Sequence, residues 1–386
     1  MAKAPTNPFR FGALALGEAF TDRQAELREL ASALRNGQDV LVYAPRRYGK
    51  SSLVLRAARA AARDGALVGY VDLLKVTSKE RFAAALARTI HRDLDSAAGR
   101  AHERAAELFR GLRIVPSMDV DPQDGSLQFS FRATRRRTDI DDTVEALLEL
   151  VGRLAVERKR PVVMIFDEFQ EVTDIDPRLP ALMRAVFQEQ PEVAHVYLGS
   201  KRHVLDRIFG DRNEPFWRSA KKMEIGLIGR AVFARFIRTR FERTDKGITD
   251  DAAAHLLECT AGHPYGTQEL AYEVWERTPA GAFAYESDVD AALENVLRAE
   301  HNHLEQLWTD APRTQRRLLA ALAVEPTSSP YAEDYRLAYE LPAAPTLQSA
   351  LASLVRKELV GRLDDGRLAI VEPFFAAWIL REQRGG

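Results

Sequence analysis

Apolar positions along the chain first alternate between short unbroken runs and amphipathic stretches. Asp22–Arg35 puts Leu27, Leu30, Ala31 and Leu34 on one helical face and is stopped by Asn36-Gly37. Asp39–Tyr43 (DVLVY) is an apolar run of the kind a buried parallel strand takes, and a tight polar turn and an Ala/Arg-rich helix to Arg63 follow it. Leu67–Leu73 predicts a second strand and Lys79–Leu94 a second helix. The rhythm breaks at Leu112–Val120 and Leu127–Thr134, which alternate around Pro122-Gln123-Asp124-Gly125 and predict an inserted β-hairpin. It resumes with helix Ile140–Lys159, strand Pro161–Phe166, helix Leu179–Gln190 and strand Val193–Leu198. Strand followed by helix, repeated, predicts an α/β fold with a parallel sheet.

Beyond Thr249 the strands largely stop. Helices are predicted at Asp251–Thr260, Tyr265–Arg277, Asp288–Leu307 and Pro312–Ala323. The tail reads as helix Leu347–Lys357, a strand Leu359–Leu363, the turn Asp364-Asp365-Gly366 and a strand Arg367–Val371, the outline of a winged helix.

Composition narrows the class. With 46% hydrophobic and 29% charged residues, the chain has enough apolar surface to offset ordering entropy, which excludes a disordered protein. The single cysteine, Cys259, excludes an internal disulfide framework and a Cys-rich zinc site. No stretch approaches the roughly 18 apolar residues of a membrane helix, and the N-terminus lacks a signal-peptide core, so the expectation is a cytoplasmic protein with no membrane contact.

Candidate chemistry concentrates in two places. Ala44-Pro45-Arg46-Arg47-Tyr48-Gly49-Lys50-Ser51, followed by Ser52, lies between strand and helix and matches a phosphate-binding loop except that Ala44 replaces the first Gly. In such a loop, backbone N–H groups and the helix N-terminus cradle phosphates, Lys50 neutralises the β/γ oxygens and Ser51 helps hold Mg²⁺. Val162–Phe166 is an apolar strand that ends in Asp167-Glu168. Asp167 is the candidate second Mg²⁺ ligand and Glu168 the candidate base that activates water. Ser200, after the strand at 193–198, is a candidate contact to the γ-phosphate or an ordinary turn residue. Arg218 is a candidate arginine finger or a surface residue, and His263 either packs on nucleotide or caps a helix.

These segments, with NPFRFG, FTDRQAELREL, VYAPRRYGKSSL, VVMIFDEFQEV, HVYLGSKRHVLDRIF, PFWRSAKKMEI, AGHPYGTQEL and VEPFFAAWIL, resemble the archaeal-type AAA+ ATPases of the STAND-related branch over nearly the whole chain. The resemblance implies a RecA-like P-loop core at 1–245, a helical lid at 246–300 and a winged helix at 301–386. By motif match it implies that Pro8, Phe9, Phe20 and Arg23 lie near the adenine of ATP or ADP, with His263 and Pro264 closing from the lid. The expected activity is that of an ATP-dependent molecular switch that hydrolyses Mg-ATP slowly. The alternative is a nucleotide-held protein-interaction or DNA-binding module with negligible turnover.

Charge bears on partners. The net charge is −1, so nucleic acid contact requires a local patch. Lys201–Arg240 carries 11 Lys/Arg against 4 Asp/Glu, and Arg132, Arg135, Arg136 and Arg137 follow the hairpin. Both clusters suit non-specific DNA, solvated helix faces or an acidic neighbouring subunit equally well. The tail Glu300–Gly386, with 10 Lys/Arg and 12 Asp/Glu, points to a protein partner for the winged helix. An ATP-dependent homo-oligomer completed by Arg218 is a further expectation.

Overall fold

The computed structural model describes residues 6–15, 17, 20–94, 109, 112, 116–121, 127–131, 137–363 and 365–385. By internal contacts the chain forms two compact units. A sheet unit comprises Gln24–Pro45 and Lys50–Ile225, and a helical unit comprises Met1–Arg23, Arg46–Gly49 and Gly226–Gly386. The division at Ile225 falls 20 residues before the boundary expected at 245, and the N-terminal segment groups with the helical unit.

The sheet unit opens with helix α1 (Gln24–Arg35), strand β1 (Val40–Tyr43), helix α2 (Lys50–Arg63), strand β2 (Leu67–Asp72) and helix α3 (Lys79–Thr89). The first helix starts two residues later than Asp22, because Asp22 and Arg23 take positive φ of 50° and 60°. The helix expected to run to Leu94 changes to a π-helical turn over Ile90–Leu94. Strands β3 (Ser117–Val120) and β4 (Leu127–Ser130) pair antiparallel, as the inserted hairpin predicts, but are shorter. The expected turn Pro122-Gln123-Asp124-Gly125 lies outside the described residues, as do Arg132, Arg135 and Arg136 of the second basic cluster. Helix Arg137–Arg158 leads to β5 (Val162–Asp167), and helix Leu179–Phe187 leads to β6 (Val193–Gly199).

Every residue of β5 and β6 is buried, which explains sequences that are apolar but for Asp167 at the end of β5 and, in β6, His195, whose backbone N–H donates to Asp39 Oδ1. The sheet order is β2-β5-β6-β1-β7, all parallel, with β7 (Lys221–Glu224) closing one edge against β1. Sequence pattern alone did not indicate β7. Three of its four residues, KKME, are exposed, as suits an edge strand protected by charge. Helix Arg202–Gly210 precedes it.

The helical unit holds helices Arg230–Glu242, Asp250–Cys259 and Pro264–Arg277 and a two-residue parallel ladder of β8 (Gly247–Ile248) and β9 (Phe283–Ala284), with Arg230–Glu242 packed on β8. The single helix expected over Asp288–Leu307 is two, Glu286–Ala299 and His301–Thr309, broken at Glu300. The chain changes partner there: the first piece packs on Asp250–Cys259 and Pro264–Arg277, the second on the C-terminal helix Phe375–Gly385. Helices Arg313–Val324, Glu333–Ala338 and Ala344–Arg356 precede the hairpin β10 (Val360–Arg362) and β11 (Leu368–Ile370). A bridge from Thr327 to Leu368 adds the third edge of a winged-helix sheet. One apolar cluster runs from Phe9 through Phe241, Leu270 and Leu347 to Trp378, so the N-terminal segment, the helices between Arg230 and Ala299 and the winged helix share a core. No helix among the described residues is long and apolar enough to cross a membrane.

Candidate active site

In the sheet unit, four chain segments meet at the C-terminal ends of parallel strands. β1 delivers Ala44, α2 begins at Lys50, β5 ends at Asp167 and β6 runs into Ser200. Ala44 is buried and its N–H donates to Gly199 O at 3.4 Å, so its methyl group packs where the strand ends. Gly49 takes φ +86°, a left-handed conformation that a side chain would strain. The N–H groups of the first turn of α2 have no intrahelical acceptors and form an anion-seeking end.

Lys50 Nζ lies 3.2 Å from Glu168 Oε1, and both side chains are largely buried (9% and 16% exposed). The other oxygen of Glu168 accepts from Gln170 Nε2 and, at 3.4 Å, from the Ser200 hydroxyl. Glu168 itself sits at φ 52°, a costly conformation for a non-glycine residue that turns its carboxylate back toward Lys50 and Ser200. Ser51 Oγ donates to Asp167 Oδ2 at 3.0 Å, while the Glu168 N–H donates to Asp167 Oδ1 at 2.9 Å. The Tyr70 hydroxyl, from β2, donates to the same Oδ2. Burial, with Asp167 next in weight, raises the Tyr70 pKa well above its ordinary value, so the phenol remains a donor.

The Ser51 hydroxyl and the Asp167 carboxylate form a hard-oxygen pair suited to Mg²⁺, which takes few protein ligands and shares the rest with substrate phosphates and water. Lys50 offers the matching positive charge. The structure therefore brings together Lys50, Ser51, Asp167, Glu168 and Ser200, and adds Tyr70 and Gln170. Neither addition announces itself in sequence: Tyr70 sits in an ordinary strand, LVGYVD, and Gln170 follows the Asp-Glu pair as one polar residue among several.

Arg218 does not join this group. It lies three residues before β7, whose Lys221 pairs with Val40 at the start of β1, the end of the sheet opposite Ala44. It is exposed, its guanidinium lies 5.0 Å from the Trp217 ring centre, and its N–H donates to Phe209 O.

In the helical unit, loop residues Arg46, Arg47 and Tyr48 make their own set of contacts. Arg46 Nε is 3.7 Å from Glu358 and Arg47 Nη1 is 3.3 Å from Glu372, both glutamates belonging to the winged-helix segment. The Arg47 guanidinium also lies 4.3 Å from the Tyr265 ring centre. Tyr48 is buried edge-on against His263, with ring centroids 4.9 Å apart. Buried Arg23 donates to Tyr48 O (3.0 Å) and Gly226 O (2.8 Å), tying the loop to the start of the helical segment.

His263 is a helix cap. Its Nδ1 accepts from the Gly266 N–H at 3.2 Å at the start of Pro264–Arg277, with Pro264 in the first helical turn. Burial, reinforced by the Arg47 charge, lowers its pKa to about 3, so the ring stays neutral and Nδ1 remains an acceptor. Phe9 is 1% exposed and packs on Phe236 and Phe241 in the core of the helical unit. Pro8 and Phe20 are half-buried, and the Phe20 N–H donates to Gly17 O.

Glu358, Glu372 and Tyr265 were not indicated by sequence, since their relation to the loop exists only in three dimensions. Glu269, on the same helix as Tyr265, is 6% exposed and its Oε2 has no hydrogen-bond partner. Burial and the charge of Glu300 raise its pKa to about 7.

A family profile described as an AAA ATPase domain matches residues 19–198, and one described as a probable winged helix domain matches residues 302–381. No curated protein matches by sequence. Among solved structures, the chain is similar to the Walker-type ATPase PABY2304 of Pyrococcus abyssi, at 17% identity and TM-score 0.65, with 95% of this chain and 97% of that one covered. It is also similar to the ORC2 protein of Aeropyrum pernix in ADPNP-ADP complexes, at 12% identity and TM-score 0.55, covering 100% and 97%. At these identities the likeness establishes the fold. With the phosphate loop, the acidic strand end and both domain matches in place, the chain combines an AAA ATPase domain with a C-terminal winged helix domain.

Proposed function

We propose that this ATPase is an ATP-dependent molecular switch, with Mg-ATP held between core and lid, whose hydrolysis resets the winged helix. The observation that carries this reading is the pairing of Arg46 and Arg47, at the variable positions of the phosphate loop, with Glu358 and Glu372 of the winged-helix segment. A loop that must receive phosphates is thereby engaged by the domain expected to act on a partner. Partly exposed pairs of this kind are worth about 0–1 kcal/mol each, weak enough for nucleotide to displace them.

In the proposed cycle, water oxygen attacks the γ-phosphorus, the bond to the β–γ bridging oxygen breaks, and Glu168 takes the water's proton, leaving ADP and phosphate. Bound Mg²⁺, held by Ser51 and Asp167, would neutralise charge on the β/γ oxygens. Lys50 turns from Glu168 to the phosphates, which frees Glu168 to act as base, and Ser200 orients the water. The Lys50–Glu168 pair is read as the resting arrangement.

A protein, more than DNA, is the proposed partner. Lys201, Arg202, Lys221, Lys222, Arg230 and Arg238 of the basic segment are already paired with Glu171, Glu224, Glu29, Asp206, Glu258 and Asp250. In the wing, Arg367 pairs with Asp365 and Arg362 donates to Gly366 O.

The switch is tested by titrating a fluorescent ATP analogue into the parent and into Glu372→Gln. Loosening the winged-helix hold should tighten ATP binding about 2- to 5-fold, the equivalent of a partly exposed ion pair. Identical affinities would detach the winged helix from the nucleotide. Single-turnover hydrolysis by the parent separates a switch, which turns over, from a nucleotide-held module, which does not.

A further inference from the structure

We propose that Tyr70 is a positioning residue for the divalent cation: its phenol locks the Asp167 carboxylate in the orientation that, with Ser51, receives Mg²⁺. This inference rests on the ATPase reading of the site and adds a residue from outside both recognised motifs.

The placement follows from strand register. β2 and β5 pair in parallel, with Asp72 opposite Asp167 and Tyr70 opposite Ile165. Side chains two apart on a strand share a face, so Tyr70 stands on the same face as Asp72 and Asp167 and one repeat short of the strand end. That repeat is roughly 7 Å, a gap that a tyrosine side chain spans and a shorter one does not. The Tyr70 backbone is pinned as well: buried Thr89, at the end of α3, donates its hydroxyl to Tyr70 O at 3.0 Å.

The bonds at Asp167 show what the phenol does. Oδ1 accepts from the Glu168 N–H, which fixes one oxygen against the backbone. Oδ2 accepts from both Ser51 and Tyr70, which approach from different elements, α2 and β2. Ser51 is itself the other expected cation ligand, so its hydroxyl proton must turn away when a cation is held. Tyr70 is then the donor from another strand that keeps Oδ2 in place through the change. Supporting groups behind a metal-binding carboxylate typically matter 10- to 100-fold in metal affinity.

Phenylalanine preserves the ring and its packing while deleting only the donor, so Tyr70→Phe isolates the role. The experiment follows binding of a fluorescent ATP analogue while Mg²⁺ is titrated, and measures Mg²⁺-free affinity in chelator and the thermal midpoint beside it. The expected result is an increase of about 10-fold in half-saturating Mg²⁺, with Mg²⁺-free affinity and thermal midpoint unchanged and full binding restored at high Mg²⁺. A half-saturating Mg²⁺ equal to the parent's would overturn the proposal. So would a loss of Mg²⁺-free affinity together with a lower thermal midpoint, since that pattern marks a merely structural tyrosine. If the parent itself binds nucleotide without regard to Mg²⁺, the reading of Ser51 and Asp167 falls, and the role of Tyr70 with it.

Discussion

At the scale of single residues, the site's chemistry turns on one ion pair serving two masters. Lys50 and Glu168 are buried against each other at 3.2 Å, and each neutralises a charge that would otherwise be costly to desolvate. Removing either therefore has two effects, on phosphate binding and on the partner left behind. In the proposed site Lys50→Ala would remove the charge facing the β/γ oxygens and leave Glu168 to repel them, so ATP affinity should fall by at least about tenfold. Glu168→Gln keeps the shape and the contact to Ser200 but not the basicity, so ATP should stay bound, even more tightly, while turnover falls by about 10²-fold or more. Equilibrium binding and single-turnover hydrolysis on the two variants check this; a Glu168→Gln protein that hydrolyses at the parent's rate removes Glu168 as base.

At the scale of an element, helix Pro264–Arg277 carries an electrostatic load. Burial first, and then the charges of Glu300, Glu273 and Glu372, raise the Glu269 pKa from 4.5 to about 7, with Arg47 opposing them. Burial raises the Glu372 pKa too. Because folding raises the Glu269 pKa, the folded chain binds more protons than the unfolded one between pH 4.5 and about 7. Stability contributed by this group is accordingly full at low pH and declines as pH rises through that window. Glu269→Gln should leave stability near pH 4.5 almost unchanged and raise it at pH 8 by on the order of 1–3 kcal/mol, visible as a shift of a few degrees in the thermal midpoint. Denaturation at the two pH values measures the difference; an equal effect at both would show that burial of the side chain, and not its charge, decides.

At the scale of the whole molecule, Arg218 has no task within its own chain's active-site cluster. It is exposed and precedes β7 at the sheet end opposite the phosphate loop, so a catalytic role requires a second copy. The expected behaviour is a monomer or weak dimer without nucleotide and a larger species when Glu168→Gln is loaded with Mg-ATP. Arg218→Ala should then lower hydrolysis by about 10³-fold with little change in ATP affinity. Sedimentation of parent and variant in each nucleotide state tests this, and a constant monomer with full activity in Arg218→Ala removes the trans role.

Sequence by itself determined the elements whose signal is local. Buried parallel strands are predominantly apolar, so β1, β5 and β6 stood out, and the loop and acidic pair at their ends were legible because phosphate and Mg²⁺ chemistry demand particular residues at particular spacings. The winged-helix outline was legible for a similar reason, a helix followed by two short strands around an Asp-Asp-Gly turn. Tertiary structure alone decided the rest. β7 is a strand because β1 offers it an edge, and its own KKME has no apolar run to reveal it. The break at Glu300 comes from a change of packing partner, which no periodicity records. That Phe9 packs between Phe236 and Phe241, and that His263 caps a helix through the Gly266 N–H, are both decided by packing. Tyr70 on Asp167 and Arg47 on Glu372 join residues far apart in the chain, and such pairs exist only when register and packing bring them together.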